Sequence, residues 1–511
     1  MTSEFANARK EIASYASRLF WCAWTLRVVV AIAAKGEGIW DAHYYEYGAE
    51  RIAAGFGYTD SLQGGSVLHP WCHYPVGYSA FLAMARVLGH ALTPAALESV
   101  VDPYVFPIAN AFVGAALVAT TYRFAAHTLT RARAKLAGWI ALLHPGLVLY
   151  SAISMSEPLA ALLVVYALEC ALRPLAPLEP GSRVVRKAAL RWPAFVLGLA
   201  ALVRPQALLF LPVLWALPLL SAPHAEAKSE FSVPLFAAES SSLQRWSARF
   251  RTAVTTCIFA FLPILPWTLR NCQTMDACVL ISTNTGWNLA IGSSPRATGR
   301  FETLRASDGC DSVRGQVEQD RCWFQKGLSF IQEDPRRFLS LVPKKLSFTF
   351  DHESFPVEYL FEAKRPPVWT ESVRENARSF LSNFHRILVA LAACSVLAIR
   401  KGRPKGSAAV FTFVLALLLV GTILWALRSD PPPWTLVVLA GSLLAWIPAP
   451  SRIPFPNGLR WAHFAILTTA LLHAVFFGED RYHVPLIPFW CVLAAAAFRV
   501  EGHTSKKDIH V

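Results

Sequence analysis

Leu19-Phe-Trp-Cys-Ala-Trp-Thr-Leu-Arg-Val-Val-Val-Ala-Ile-Ala-Ala34 runs into Lys35-Gly-Glu-Gly-Ile-Trp-Asp-Ala-His-Tyr-Tyr45, and this junction decides the fold class. The first half is an apolar run of the length that crosses a bilayer. The second half is polar and aromatic and opens a long loop. A spanning helix needs about 20 mostly apolar residues, because ~30 Å of hydrocarbon is covered at ~1.5 Å per residue. The run follows a long charged leader and continues into Lys35-Gly36-Glu37-Gly38, so it reads as an anchor and not as a cleavable signal.

Similar runs recur near residues 19–34, 104–122, 136–154, 157–172, 192–203 and 205–220. Others lie near 252–269, 384–399, 408–427, 433–449, 461–477 and 484–498. Together they predict an all-α polytopic membrane protein with about twelve transmembrane helices. Pro158 and Pro205 interrupt two of the longest apolar stretches. Composition agrees. The 511 residues are 54% hydrophobic and 16% charged, with a mean hydropathy of +0.38. Soluble proteins carry about 25% charge. The net charge of +14 is dispersed between apolar runs and forms no stripe, which excludes a nucleic-acid-binding surface.

Basic residues orient the bundle. With Arg9, Lys10 and Arg18 on the cytoplasmic side, alternate connections are also basic. They carry Arg123, Arg131, Arg133 and Lys135; then Arg173, Arg183, Arg186, Lys187 and Arg191; then Arg245, Arg249 and Arg251. Arg400, Lys401, Arg403 and Lys405 follow, then Arg452 and Arg460, and finally Lys506 and Lys507. This frame divides the chain into an N-terminal module over 1–269, an outer-face loop domain over 270–383 and a C-terminal module over 384–511. The first outer loop is 35–102. Cys272 with Cys278, and Cys310 with Cys322, fall in the second outer segment, where an oxidising compartment permits disulfides.

Charge beside a membrane is expensive and therefore informative. Asp41 follows the first run directly, beside Tyr44 and Tyr45. Taken alone it reads as a solvated loop acid after a helix end. Its surroundings favour a site. Residues 44–56 have helical spacing and end in Gly55 and Gly57, as a helix lying on the membrane surface does. A second apolar piece starts at Tyr78, after His69, His73, Tyr74 and Gly77. Two such helices flanking an acid form a cleft suited to a substrate with a lipid tail and a polar head. Arg204, Arg270 and Arg481 are predicted on the outer face, against the positive-inside tendency. Guanidinium groups hold phosphate oxygens in a bidentate fork. Snorkelling, or a pairing of Arg481 with Glu479 or Asp480, is the simpler alternative.

The ordered set of short motifs resembles the GT-C glycosyltransferases, in the branch of the protein O-mannosyltransferases and the lipid A aminoarabinose transferase. It includes Trp40-Asp41 with Tyr44-Tyr45, Tyr74-Pro75-Val76-Gly77-Tyr78, Ser156-Glu157-Pro158 and Leu202-Val203-Arg204-Pro205. It continues with Pro266-Trp267-Thr268-Leu269-Arg270-Asn271, the stretch from Ser282 through Asn284 to Gly292, Asp334-Pro335-Arg336-Arg337-Phe338, Pro343-Lys344-Lys345, and Arg481-Tyr482-His483.

The resemblance implies a GT-C-like bundle with interfacial helices in the first outer loop and a small outer-face domain. It implies inverting transfer of one sugar from a polyprenyl-phosphate carrier to a protein, lipid or glycan acceptor at the outer face of the bacterial inner membrane. Asp41 would be the general base, with a proton affinity raised by partial desolvation, and His43 would tune or share the task. Arg204, Arg270, Arg481 and Lys344 would hold the donor phosphate. Tyr44, Tyr45, His73, Tyr74, Glu157, Asn284, Tyr482 and His483 would contact substrate. The related protein mannosyltransferases often carry two adjacent acids where this chain has Asp41-Ala42-His43, so the acceptor is left open. The Trp-Trp-Asp-Tyr-Gly signature of oligosaccharyltransferase is missing, which argues against en bloc transfer to asparagine. Asp41, His43, His69 and His73 could gather round a divalent ion, but no cofactor is expected to be required. A transporter or flippase of lipid-linked sugars would use the same arginines without chemistry.

Overall fold

The structure, a computed structural model, describes residues 2–34, 36–61, 67–173, 190–220, 242–365, 369–398, 407–446 and 456–498. The basic residues Arg183, Arg186, Lys187, Arg400, Lys401, Arg403, Lys405, Arg452, Lys506 and Lys507 lie outside them.

Each apolar run carries helix, and prolines decide how long that helix is. Among the described residues, three helices are long and apolar enough to cross a membrane: Asn7–Ala33, Ala95–Ala126 and Glu371–Leu397. The pair Phe250–Phe261 and Leu265–Thr274 makes a fourth if it counts as one span bent by 55°. The expected count of about twelve is therefore not reached by long helices among the described residues. Proline removes a backbone donor and clashes with the preceding turn, so it divides an apolar run. The run near 136–154 becomes Arg131–Leu143 and Pro145–Leu149, and the run near 205–220 opens as a 3-10 turn over Pro205–Phe210 before Leu211–Leu220. The last run starts as a 3-10 turn, Asp480–Leu486, containing Pro485, and continues as Ile487–Ala497.

Small residues let these helices approach closely, the usual device of membrane bundles. Thr2–Ala33 packs along Glu98–Ala126, which also packs on Glu157–Leu172 and Arg131–Leu143. Ala134, Ala137, Gly138 and Ala141 form a buried stripe at helical spacing on Arg131–Leu143. A Cβ on Gly138 would lie 2.6 Å from Leu19 Cδ1. The fully buried Ala494, Ala495 and Ala496 serve the contact of Ile487–Ala497 with Glu371–Ala398 and Arg131–Leu143, which joins the two ends of the chain. Arg27 is fully buried in the first helix, and its guanidinium donates to the carbonyls of Ala141 at 3.2 Å and Leu142 at 3.3 Å. Those carbonyls lack intrahelical partners because the helix ends at His144-Pro145. A buried cation thus meets the electronegative end of a helix.

The helix expected over 44–56 runs over Asp41–Ala53, and the apolar piece at Tyr78 lies in helix Val76–Leu92. Gly55 and Gly57 follow the first in left-handed conformation, at φ +83° and +70°. Between the two helices lies one departure from an all-helical chain. Thr59–Asp60 pairs antiparallel with His69–Pro70, Thr59 opposite Pro70. Residues 270–383 contain helices Thr285–Ser293, Gln316–Glu333, Pro335–Phe350 and Phe355–Glu362. Cys272–Cys278 and Cys310–Cys322 are both disulfide-bonded.

Candidate active site

Asp41 opens the helix Asp41–Ala53, and Trp40 before it adopts φ 52°. A bulky residue with positive φ is strained, and such strain persists only where surrounding contacts hold it. Here the Trp40 ring packs on Phe355 and Tyr359. The turn directs the Asp41 carboxylate into a cavity of about 780 Å³. Its Oδ1 accepts from the Tyr74 hydroxyl at 2.9 Å, and its Oδ2 accepts from Arg481.

Arg481 reaches the cavity from the 3-10 turn Asp480–Leu486. That turn is anchored by Asp480, whose carboxylate accepts from the backbone N–H groups of Ser354 and Phe355 and from the Ser354 hydroxyl. Arg204 reaches the same cavity from the break after helix Arg191–Val203. The residue before a proline is driven to extended backbone, and Arg204 has φ −146° and ψ 111°. Its guanidinium donates to Glu157 Oε1 at 2.8 Å and Ser156 Oγ at 3.2 Å. Tyr45 shares that hydroxyl at 3.3 Å. The Tyr482 ring lies beneath both cations, with its centroid 5.7 Å from the Arg204 guanidinium and 5.1 Å from that of Arg481. The His473 ring stacks on Tyr482 at 4.4 Å.

Two guanidiniums are thus shared among three carboxylates, since Arg481 also pairs with Glu479 at 2.6 Å. Burial pushes the Asp41 carboxyl up, but the charge of Arg481, the hydrogen bonds from Tyr74 and Arg481, and the charge of Arg204 outweigh it. The net direction is down. This corrects the expectation of a raised proton affinity at Asp41, which considered desolvation without the partner guanidinium. Burial prevails at Glu479 and raises its carboxyl, despite Arg481. Burial also lowers His73 to about 4, against the pull of Asp41, so its imidazole is neutral.

Of the residues expected from sequence, Asp41, Tyr44, Tyr45, His73, Tyr74, Arg204, Asn284, Arg481 and Tyr482 line this one cavity. Glu157 lies behind Arg204 as its ion-pair partner. Four others sit elsewhere. His43 is exposed, its ring against Tyr44 and Tyr47, because it falls on the opposite side of its helix from the buried Ala42 and Tyr45. Arg270 is consumed by backbone: it donates to the carbonyls of Tyr58 at 2.7 Å and Trp71 at 3.1 Å, and so ties the first outer loop to the second. Lys344 is exposed, whereas its neighbour Lys345 is buried and donates to the Val475 carbonyl at 2.9 Å. His483 is fully buried away from the cavity, hydrogen-bonded to the Thr349 carbonyl. Among the described residues, Asp41, His43, His69 and His73 form no group of three converging ligands.

Several wall residues were not singled out in the sequence. Ser156 and Glu479, which hold Arg204 and Arg481 from behind, were named only within a motif and as a pairing alternative. Trp71, Gln316, Gln319 and His473 were not expected there; packing brings them to the cavity from residues 35–102 and 270–383 and from helix Asn457–Val475. Leu208, Leu209, Leu472 and Phe476 make one side of the wall apolar.

No family model matches this chain, and no curated protein matches it. Among solved structures it is similar to the oligosaccharyltransferase of Archaeoglobus fulgidus. In complex with Zn and sulfate, that protein aligns with a TM-score of 0.45 and 13% identity, over 94% of this chain and 48% of the other. Tethered to an acceptor peptide containing the NVT sequon, it aligns with a TM-score of 0.43 and 12% identity, over 94% and 49%. The chain spans about half the length of the archaeal protein it resembles.

Proposed function

We propose that this chain is an inverting membrane glycosyltransferase. It moves one sugar from a polyprenyl-phosphate carrier to an acceptor hydroxyl at the outer face of the bacterial inner membrane. The observation that carries the reading is the meeting of a carboxylate, Asp41, with two guanidiniums, Arg204 and Arg481, on a cavity with an apolar wall. That combination suits a donor with a phosphate head and a hydrocarbon tail.

In the proposed step the acceptor oxygen attacks the anomeric carbon while the bond from that carbon to the phosphate oxygen breaks. The acceptor proton passes to Asp41, and polyprenyl phosphate leaves with its charge met by Arg204 and Arg481. Phosphate activates the sugar already, so the reading assigns no cofactor to the transfer. A phosphate on Arg481 would compete with Asp41 for the guanidinium. Its arrival would free Oδ2, and burial would then raise the carboxylate's affinity for the acceptor proton.

The test is native mass spectrometry of the detergent-purified chain, combined with a transfer assay on a synthetic polyprenyl-phosphate sugar. Retention of the carrier-linked sugar by both wild type and Asp41→Asn, with turnover lost only in the variant, is the expected result. Wild-type protein that holds bulk phospholipid alone after the donor is added sinks the proposal. Wild type and variant that both translocate donor without transferring it favour a flippase instead.

A further inference from the structure

Away from the cavity, four buried side chains face one another with their polar atoms unsatisfied. Oε2 of Glu353 lies 3.8 Å from His483 Nε2, 3.9 Å from His385 Nδ1 and 3.8 Å from His144 Nε2. The four side chains are 0–1% exposed. None of these three nitrogens, and neither carboxylate oxygen of Glu353, has a hydrogen-bond partner among the described residues. Leaving a carboxylate buried without any donor is among the costliest arrangements a fold can hold.

The outer ring nitrogens fix the tautomers. His385 Nε2 is 2.8 Å from the Phe350 carbonyl, and His483 Nδ1 is 2.6 Å from the Thr349 carbonyl. A carbonyl only accepts, so those nitrogens carry the protons. The inward nitrogens, Nδ1 of His385 and Nε2 of His483, therefore present lone pairs. His144 has the opposite polarity. Its Nδ1 accepts from the Leu147 N–H at 3.3 Å, so its Nε2–H points at Glu353 as a donor. Two lone pairs and one carboxylate converge without a proton between them. Separations of 3.8 and 3.9 Å are too long for N–H···O hydrogen bonds. They exceed by a few tenths of an ångström the ~3.3–3.4 Å that separates ligand atoms round a tetrahedral ion with bonds of ~2.0–2.1 Å.

We propose that Glu353, His385 and His483 bind a divalent transition-metal ion of the zinc class, with the His144 Nε2–H facing the carboxylate from 3.8 Å. Two imidazoles and a carboxylate suit zinc. Imidazoles that donate their second N–H to a backbone carbonyl are the usual partners of a bound metal. The surrounding backbone is shaped to the carboxylate: a Cβ on Gly146 would lie 1.7 Å from Glu353 Oε1. The ion joins three parts of the fold. Glu353 lies between helices Pro335–Phe350 and Phe355–Glu362, His385 is on helix Glu371–Ala398, and His483 is in the turn that also presents Arg481 and Tyr482. Its place is structural and does not depend on the transfer reaction.

The experiment uses the full chain, purified in detergent on a histidine-free tag. Metal content is measured by mass spectrometry, and the chelator-stripped protein is titrated with Co²⁺ while its visible absorption is followed. The expected result is about one zinc per chain as purified, ligand-field bands that saturate at one equivalent of Co²⁺, and a lower unfolding temperature after chelation. Glu353→Gln and His385→Gln should each lose the stoichiometric ion. His90→Gln, whose imidazole pairs with Asp102, should keep it. Folded wild-type protein that carries no zinc and develops no Co²⁺ bands overturns the proposal, and this arm needs no variant to fold. Equal uptake by wild type and folded His385→Gln overturns it as well.

Discussion

Arg481 donates to Oδ2 of Asp41 and at the same time pairs with Glu479 at 2.6 Å, so one guanidinium on the cavity wall serves two acids. A ligand phosphate that takes the Arg481 donors now facing Asp41 or Glu479 displaces that carboxylate. That constraint links donor binding to proton affinity at both acids.

Asp41→Asn keeps the size of the side chain and removes the proton acceptor. Turnover should fall by about 10²–10⁴-fold, the usual contribution of a positioned base. Donor affinity should stay level or improve, because Arg481 loses a competitor. A titration of donor against each protein, beside single-turnover rates, separates the two quantities. A variant with unchanged turnover removes Asp41 from the chemistry.

Glu479 gives the site a pH dependence of definite sign. Burial raises its carboxyl above the ordinary value of 4.5. Its contribution to stability is therefore complete below that value and is lost as pH rises through the folded value. Asp41 runs the other way: its carboxyl is depressed, so its contribution is present above the ordinary value of 3.8 and is lost as pH falls through the folded one. Protonating Glu479 also removes one competing negative charge. Donor should bind more tightly as pH falls through the Glu479 titration, and Glu479→Gln should flatten the profile. Equilibrium binding measured between about pH 5 and pH 8 checks this.

Arg204 and Glu157 form a pair in which Glu157 is fully buried. Arg204→Ala leaves that carboxylate without its partner and should destabilise the protein by about 3–5 kcal/mol. Replacing both residues, Arg204→Met with Glu157→Gln, should recover most of the loss in thermal unfolding while transfer stays abolished. Equal unfolding temperatures for Arg204→Ala and wild type would show that the ion pair carries no stability.

Gly77 belongs to the motif Tyr74-Pro75-Val76-Gly77-Tyr78, and here its role is one of space. A Cβ on it would lie 2.6 Å from the backbone of Leu202, two residues before Arg204. Gly77→Ala should cost about 1–3 kcal/mol through overpacking. It should also weaken donor binding by shifting Tyr74 relative to Arg204. Chemical denaturation and donor titration of the variant report on the two effects separately.

What was legible in the sequence followed from local chemistry. Apolar runs located the helices, because burying a backbone away from water requires hydrogen bonds made within the segment. Asp41 and Arg204 were legible because charge or proline at the end of an apolar run needs a reason, and each marks a chain break at the cavity. The lengths of the helices were less so. Pro145 split one run into two helices at His144, and the runs at Pro205 and Pro485 open as 3-10 turns. Residues with the same local signature as the wall residues went elsewhere: Arg270 to the carbonyls of Tyr58 and Trp71, His483 to a buried cluster with Glu353.

The sequence by itself determined a helical, bilayer-length pattern and the residue types available at its ends. Only the tertiary structure decided partnership. Whether an arginine faces a cavity, a carbonyl or an acid depends on which chain ends the packing of small residues brings together. Asp41 and Arg481 are separated by 440 positions, and no periodicity reaches that far. The same holds for the direction of the Asp41 proton affinity. Burial of the carboxylate alone would raise it, and the arginine that the fold places against it lowers it.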